Sequence, residues 1–267
     1  MHLETVSVTK HRPVTGAYRE LSLKTCSIAP ETRPGQFVHI RIQNLGESVL
    51  RRPFSIYRVD GADLSILYKV VGKGTRALSR LAEGDTLSAL GPLGNGFPQP
   101  SDNALPILVA GGYGVAALYL QAERSPAKGI LFAGGSTKAD LLCLDGFAAL
   151  GWRVETATED GSQGFKGRVT GALDAWMEKE LKGRTPELFA CGPMGLLRAV
   201  AERARAQNCK AWLSMDRHMG CGVGACLACV QRIRLPSPPG AWKWARICTE
   251  GPVFEAGDIL WDEQEGA

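Results

Sequence analysis

Over the first hundred residues hydrophobic and polar positions alternate in short runs, and this period of two predicts strands. The runs ETVSVTK (4–10), QFVHIRI (36–42) and DLSILYKVV (63–71) are broken by turns at RPGQ (33–36) and VDGAD (59–63). Many short strands with glycine turns predict an antiparallel β-barrel or sandwich. After FPQPSDNALP (97–106) the texture changes. ILVAGGYGVAALYLQAER (107–124) is an unbroken apolar run, a glycine turn and then a helical stretch, and GILFAGGS, WRVETATED and PELFACGPM follow as further strands. Strands that alternate with helices predict a doubly wound parallel sheet. From residue 216 glycine, cysteine and proline dominate and no periodicity survives, which predicts a small lobe organised around a metal centre. The expected division is therefore a β-barrel over 1–100, an α/β domain over 101–215 and a lobe over 216–267.

Composition narrows the function without naming it. A chain of 267 residues is long for a single core, and 45% hydrophobic with 22% charged residues is ordinary for a soluble protein. The 32 glycines cluster in short runs, as they do where backbone must approach a ligand closely. A net charge of +4 with intermixed signs is too mild to argue for nucleic acid, so no nucleic-acid partner is expected, but it suits anionic cofactors. The amino terminus shows no secretory pattern, and no apolar run reaches the ~20 residues of a membrane span. A cytoplasmic location is therefore expected, where patterned thiols bind metal rather than form disulfides. Of the eight cysteines, Cys26, Cys143 and Cys209 lie outside any pattern and are expected to be small buried hydrophobes.

The cysteines of MGCGVGACLACV (219–230) carry the strongest chemical signal. Four residues separate Cys221 from Cys226, two separate Cys226 from Cys229, and Cys248 follows after eighteen. Three thiolates from one loop and a fourth from a distance suit a [2Fe–2S] cluster, and the interspersed Gly220, Gly222, Gly224, Ala225 and Ala228 leave room for backbone N–H groups to face its sulfurs. A structural zinc site is the competitor, although zinc modules more often present two matched close pairs. His218 is the only histidine expected near a site, in a surface or packing role, since four cysteines complete the ligand set.

Three further segments suit nucleotide cofactors. In RRPFSIYRV (51–59), Arg52 can fork onto a pyrophosphate while Ser55 meets a flavin ring. In LYKVVGKGTRALSRL (67–81), Gly72, Gly74 and Thr75 open a helix where a phosphate can be received, or Thr75 serves merely as its N-cap. Gly111, Gly112 and Gly114, with Ala117 in the last glycine position, approximate the dinucleotide fingerprint. Cys191, Gly192 and Pro193 sit at the carboxyl end of another strand, where Cys191 either packs on a nicotinamide or is simply buried. Thr158, Glu159, Asp160 and Gly161 form a candidate rim. No arginine cluster calls for a 2′-phosphate, so NAD is expected over NADP.

The order RPFSI, GKGT, GPLGNGF, AGGYGVAAL, ACGPM and CGVGACLACV with Cys248 resembles the ferredoxin–NADP reductase superfamily. Within it, the chain is similar to the electron-transfer (iron–sulfur) subunits of the class 1B, NAD-dependent dihydroorotate dehydrogenases. The resemblance spans nearly the whole chain, and LGPLGNGF (90–97) and the cysteine spacing carry its specificity. It implies an oxidoreductase subunit with FAD, one [2Fe–2S] cluster and NAD as acceptor. The implied partner is an FMN-containing catalytic subunit that oxidises dihydroorotate in pyrimidine biosynthesis, in a heterotetramer of two of each. Arg52, Pro53, Phe54 and Ser55 match the flavin motif, Leu67, Tyr68 and Lys69 the strand along the flavin, and Gly74 and Thr75 the phosphate turn. Cys221, Cys226, Cys229 and Cys248 match the cluster ligands, and the segment 233–246 ahead of Cys248 is long for the family. No side chain of this subunit is expected to act as catalytic acid or base. A reductase module serving a hydrogenase- or ferredoxin-linked complex is the alternative, and a zinc-stabilised nucleotide-binding protein without redox turnover is a second.

Overall fold

The computed structural model describes residues 1–42 and 50–261, so the last six residues of the expected carboxyl-terminal lobe lie outside the described residues. Six strands close an antiparallel barrel: β1 (His2–Thr15), β2 (Tyr18–Lys24), β3 (Phe37–Arg41), β4 (Arg52–Asp60), β5 (Asp63–Lys69) and β6 (Thr86–Leu93). Their order around the barrel is β1-β2-β5-β4-β3-β6. The alternation read from the sequence is the inside–outside pleat of this barrel. Val6, Val8, Leu21, Leu23, Val38, Ile40, Ile56, Leu64 and Ile66 fill its interior. A one-turn helix, α1 (Lys73–Leu78), follows β5.

The chain then builds a seven-stranded sheet. It comprises β7 (Leu105–Gly111), β8 (Ile130–Gly135), β9 (Arg153–Thr158), β10 (Phe165–Lys166), β11 (Pro186–Cys191), β12 (Ala211–Ser214) and, later in the chain, β15 (Val253–Glu255). Helices α2 (Val115–Arg124), α3 (Leu144–Ala149), α4 (Val169–Glu180) and α5 (Met194–Ala206) cover its faces. The order is β10-β9-β8-β7-β11-β12-β15, parallel except for β15, which pairs antiparallel with β12. The chain winds outward from β7 through β8 to β10, then returns to β11 on the other side of β7. The crevice beyond the carboxyl ends of β7 and β11 is thus the topological switch point, where open α/β sheets receive ligands.

Past residue 216 the chain holds more regular structure than its composition suggests. Strands β13 (Val230–Arg234) and β14 (Trp242–Arg246) form a two-stranded ribbon, followed by the short helix α6 (Ile247–Glu250). The ribbon accounts for the long segment 233–246. One of its faces, Gln231, Ile233 and Ala245, is buried, and the other leaves Trp242 and Trp244 exposed. The lobe does not stand apart. Cys229, Ile233, Ala245, Ile247, Cys248 and Phe254 share one apolar cluster with Phe37 and Leu93 of the barrel and with the large sheet's Val109, Leu188 and Leu213. A second seam packs Tyr57 and Leu67 of the barrel against α2, with the Tyr57 and Tyr119 rings 4.8 Å apart.

The three unpatterned cysteines differ from expectation. Cys26 is exposed, and Cys143 and Cys209 are only partly covered. Cys26 lies two residues past the end of β2, where its backbone N–H donates to the Glu4 carboxylate at 2.7 Å, and a residue fixed by that turn has no apolar layer to enter.

Candidate functional site

The cysteine loop is shaped by its backbone. Gly222 and Gly224 have φ of 73° and 81°, and even Leu227 takes a left-handed φ of 57°. These reversals turn successive N–H groups toward the Cys221 sulfur. Val223, Ala225 and Cys226 donate to it at 3.4, 3.3 and 3.4 Å. Burial opposes ionisation of Cys221, but these donors, with the Cys226 thiol, outweigh it and bring its pKa down to about 6. The second pair lies deeper. Cys229 and Cys248 are 3% and 1% exposed, and the Cys248 N–H donates to the Cys229 sulfur at 3.4 Å. Burial first, and then the neighbouring Cys229, push the Cys248 thiol up to about 12.

The four thiols therefore meet as two pairs, Cys221 with Cys226 and Cys229 with Cys248. Among the described residues no three cysteine, histidine or acidic side chains converge on a point that one metal ion could occupy. A tetrahedral zinc ion requires its ligands around one point. Two pairs joined through one loop fit a binuclear centre with two thiolates for each iron, and the N–H groups around Cys221 supply the donors such an anionic centre needs.

The flavin-motif residues lie on β4, next to β3. Arg52 faces Ile40 in the register, and Phe54 and Ser55 face Val38 and Phe37. A Cβ placed on Gly74 would lie 3.6 Å from the Arg52 Nε, so the arginine and the glycine turn, separate in sequence, share one spot. Thr75 is not the N-cap of α1. Gly72 holds that position, and the Thr75 hydroxyl accepts from the N–H groups of Val71 and Gly72 at 2.9 and 3.0 Å. Leu67, Tyr68 and Lys69 divide between faces. Leu67 joins the seam with α2, while the Tyr68 ring enters the barrel interior, where its hydroxyl meets the His11 Nε2 at 2.9 Å. The Lys69 ammonium lies 3.3 Å from the Asp140 Oδ1, to which the Tyr18 hydroxyl donates at 2.7 Å. This three-residue contact ties the barrel to the loop after β8, and it holds the Asp140 carboxyl below its ordinary range, chiefly through the Tyr18 hydroxyl.

Gly111 ends β7 with Gly112 and Gly114 just beyond it, and Cys191 ends β11 with Gly192 and Pro193 just beyond it, on either side of the switch point. They touch: a Cβ on Gly114 would overlap the Cys191 carbonyl, and one on Gly111 would lie 2.8 Å from Pro193. Gly112 adopts a left-handed φ of 53°. Cys191 is buried, and burial first, then Asp216, raise its thiol to about 12, so it offers a neutral, inert surface. Thr158 is buried and exchanges hydrogen bonds with the Gln163 backbone, whereas Glu159, Asp160 and Gly161 are exposed.

Of the histidines, His218 is exposed, and His39 is the one that lies between these elements. It sits on β3 opposite Pro53 of the flavin motif, and a Cβ on Gly222 of the cysteine loop would lie 2.5 Å from its Nδ1. The expectation that only His218 lies near a site is thus corrected. His39 falls inside an alternating strand, and nothing in QFVHIRI distinguishes it from an outward-facing polar residue. The Tyr18–Lys69–Asp140 contact was equally invisible, because it joins residues 122 and 71 positions apart.

A sequence profile of the iron–sulfur cluster binding domain of dihydroorotate dehydrogenase B matches residues 216–260. The electron transfer subunit of dihydroorotate dehydrogenase B (NAD⁺) from Geobacillus kaustophilus is 39% identical over 265 residues, covering 96% of this chain and 98% of that protein. The same subunit from Bacillus caldolyticus is 39% identical over 264 residues, with the same coverage. Among solved structures, that of an NADH-dependent reduced ferredoxin–NADP oxidoreductase, described for flavin-based electron bifurcation, superposes with a TM-score of 0.83 at 30% identity, covering 97% of this chain and 90% of that one. The cytochrome b5 reductase domain of Ulva prolifera nitrate reductase shares the fold alone, with a TM-score of 0.64 at 16% identity over 78% of this chain and 93% of that one. With the barrel, the switch-point sheet and the paired thiols in one body, and with relatives of this identity matching from end to end, the chain belongs to the family of dihydroorotate dehydrogenase B electron transfer subunits.

Proposed function

We propose that this chain carries electrons from the FMN of a dihydroorotate-oxidising catalytic subunit, by way of a [2Fe–2S] cluster and FAD, to NAD⁺. A flavin accepts or gives a hydride and also exchanges single electrons, so it is the necessary intermediary between an iron–sulfur centre and a nicotinamide. The observation that carries the proposal is that the cysteine lobe packs on β3, the strand next to the flavin motif: Cys229 and Cys248 share an apolar cluster with Phe37, and Gly222 of the cysteine loop lies against His39, which pairs with Pro53. Thiolates of Cys221 and Cys226 would hold one iron, and those of Cys229 and Cys248 the other. Arg52, with the Gly74 backbone beside it, would hold the FAD pyrophosphate, and Ser55 would meet the ring with Pro53 and Phe54 fixing the strand. Leu67 and Lys69 would border the flavin from β5. Tyr68 and Thr75 would act by holding β5 and the turn in place.

For NAD, the backbone of Gly111, Gly112 and Gly114 would receive the pyrophosphate, while Cys191, Gly192 and Pro193 would wall the nicotinamide. Cys191 suits that wall because burial keeps it a neutral thiol. No arginine cluster lies on the rim, which favours NAD over NADP. No acid or base is required of the chain for hydride transfer. The functional division is 1–100 for FAD, 101–215 for NAD and 216–267 for the cluster, with residues 253–255 sewing the last unit to the nucleotide sheet.

The catalytic subunit would dock on the cluster lobe, where Val223, Leu227, Trp242 and Trp244 are exposed, in an assembly of two copies of each chain. No helix among the described residues is long and apolar enough to cross a membrane, and the reading places the enzyme in the cytoplasm. Coexpression with an FMN-containing dihydroorotate dehydrogenase subunit, followed by assay of dihydroorotate-dependent NAD⁺ reduction, tests the proposal. The expected result is a complex that reduces NAD⁺ only when both chains are present. A stable, fully loaded complex without that activity overturns it and favours a reductase module of another complex, to which the 30% identity with the ferredoxin–NADP oxidoreductase points.

A further inference from the structure

His39 is fully buried, and neither ring nitrogen has a hydrogen-bond partner. Its place is unusual for such a residue. On β3 the side chains of Val38 and Ile40 turn into the barrel, so those of Phe37 and His39 turn outward, where Phe37 joins the apolar cluster that contains Cys229 and Cys248. The imidazole is flanked by Pro53 of the flavin motif on the neighbouring strand and lies in edge contact with Phe37, ring centres 5.8 Å apart. On its remaining side is the cysteine loop. A side chain at Gly222, the residue after Cys221, would collide with the Nδ1 and Cε1 of His39 at 2.5 and 2.8 Å.

Buried imidazole nitrogens are almost always paired, because a stranded N–H or lone pair forfeits the hydrogen bonds it had in water. Where both lack a partner within the chain, the missing partner is an ordered water, an ion or a group the chain binds. Burial, reinforced by Arg51 and Arg52, holds the His39 pKa at about 4, so the ring carries one proton and offers one N–H donor at neutral pH. The proposed function brings two kinds of acceptor to this histidine, the flavin ring on the Pro53 side and the cluster sulfurs on the Gly222 side, and the close approach of Gly222 to Nδ1 favours the sulfurs.

We infer that His39 is a positioning residue that donates a ring N–H hydrogen bond to the sulfur shell of the [2Fe–2S] cluster from its flavin-facing side. The inference rests on the cluster assignment above. A donor at that place stabilises the reduced cluster, which carries one more negative charge, over the oxidised one. His39 would therefore raise the cluster's reduction potential and set the driving force between cluster and flavin.

The test compares the isolated holo-subunit with two variants, His39→Gln, which keeps an N–H donor, and His39→Met, which fills similar space without one. Cluster content is read by EPR of the dithionite-reduced protein, and the midpoint potential by EPR-monitored redox titration. The expected result is a potential shifted negative in His39→Met and returned toward the wild-type value in His39→Gln, with flavin content unchanged in both. Loss of the cluster from His39→Met with its retention in His39→Gln would express the same hydrogen bond more strongly. Equal potentials in all three proteins, or equal cluster loss from both variants, overturns the role of His39. Absence of any [2Fe–2S] signal from the wild-type protein instead overturns the cluster assignment itself, and this inference with it.

Discussion

The two thiol pairs sit within one lobe, yet they are built by different means. Cys221 and Cys226 lie on a rim with little apolar support: Cys226 and its neighbours Val223 and Leu227 are exposed, and what fixes the rim is backbone geometry, with left-handed residues turning three N–H groups onto one sulfur. Cys229 and Cys248 belong to the same apolar cluster as Phe37, Leu93, Ala245, Ile247 and Phe254, and side-chain packing fixes them. The rim pair is specified locally, by residues within the 219–228 loop. The core pair is specified by the meeting of barrel, sheet and lobe, so the deeper half of the site depends on the whole fold.

The comparison is sharpest at Cys248, where the largest effect is expected. Cys248→Ser replaces a buried sulfur with a hydroxyl in an apolar environment and removes a ligand, at a cost of about 1–3 kcal/mol to the apo fold before any loss from the cluster. Denaturant unfolding of the cluster-free protein checks this, and a stability equal to wild type would mean that the core pair is no more embedded than the rim. Gly222→Ala comes next. It forces a Cβ into a left-handed φ of 73° and against His39, which costs about 1–2 kcal/mol, although the substitution adds only a methyl. Denaturant unfolding of the cluster-free protein checks this, and a stability equal to wild type would mean that neither the left-handed backbone nor the contact with His39 fixes the rim.

Cys226→Ser is expected to leave the apo fold within about 0.5 kcal/mol of wild type, since surface positions away from packing rarely move stability further. Iron is nevertheless lost or weakened, while FAD remains bound. Iron and flavin content, measured on one preparation, check this. Loss of FAD together with iron would show the rim to be coupled to the barrel as tightly as the core pair is.

The same contrast explains how much of the molecule could be read in its sequence. The rim was legible because its specification is local: three cysteines, their spacing and the small residues between them all lie within one loop. The barrel and the doubly wound sheet were legible from their periods, and the glycine turns from their place after apolar strands. His39 was not, because its meaning depends on Gly222, 183 residues away and on another element. The ribbon of β13 and β14 was missed as well. Its short strands carry arginine and tryptophan on the open face, and on the other face the exposed Lys243 sits beside the only three buried residues, Gln231, Ile233 and Ala245.

The smallest effect is one of pH, and it separates the pairs by sign. Cys221 falls from an ordinary value of 9.0 to about 6 in the folded chain, so between those values the unfolded chain holds more protons and the apo protein gains stability as pH rises. Cys248 moves the other way, from 9.0 to about 12, so above about pH 9 the folded chain keeps a proton the unfolded chain has lost, and stability falls. The two contributions together place a maximum near pH 9 in the cluster-free protein. Because Cys221 is partly open to solvent, its share is screened and small. Alkylation makes the difference easier to see, since only the thiolate reacts. In the apo protein at pH 7, iodoacetamide is expected to modify Cys221 ahead of Cys248, with the Cys221 rate already near its plateau and that of Cys248 still rising beyond pH 9. Peptide mapping after short exposures on both sides of pH 9, from about pH 5 to about pH 10, measures both rates. Parallel profiles for the two cysteines would show that backbone donors do not distinguish the rim from the core.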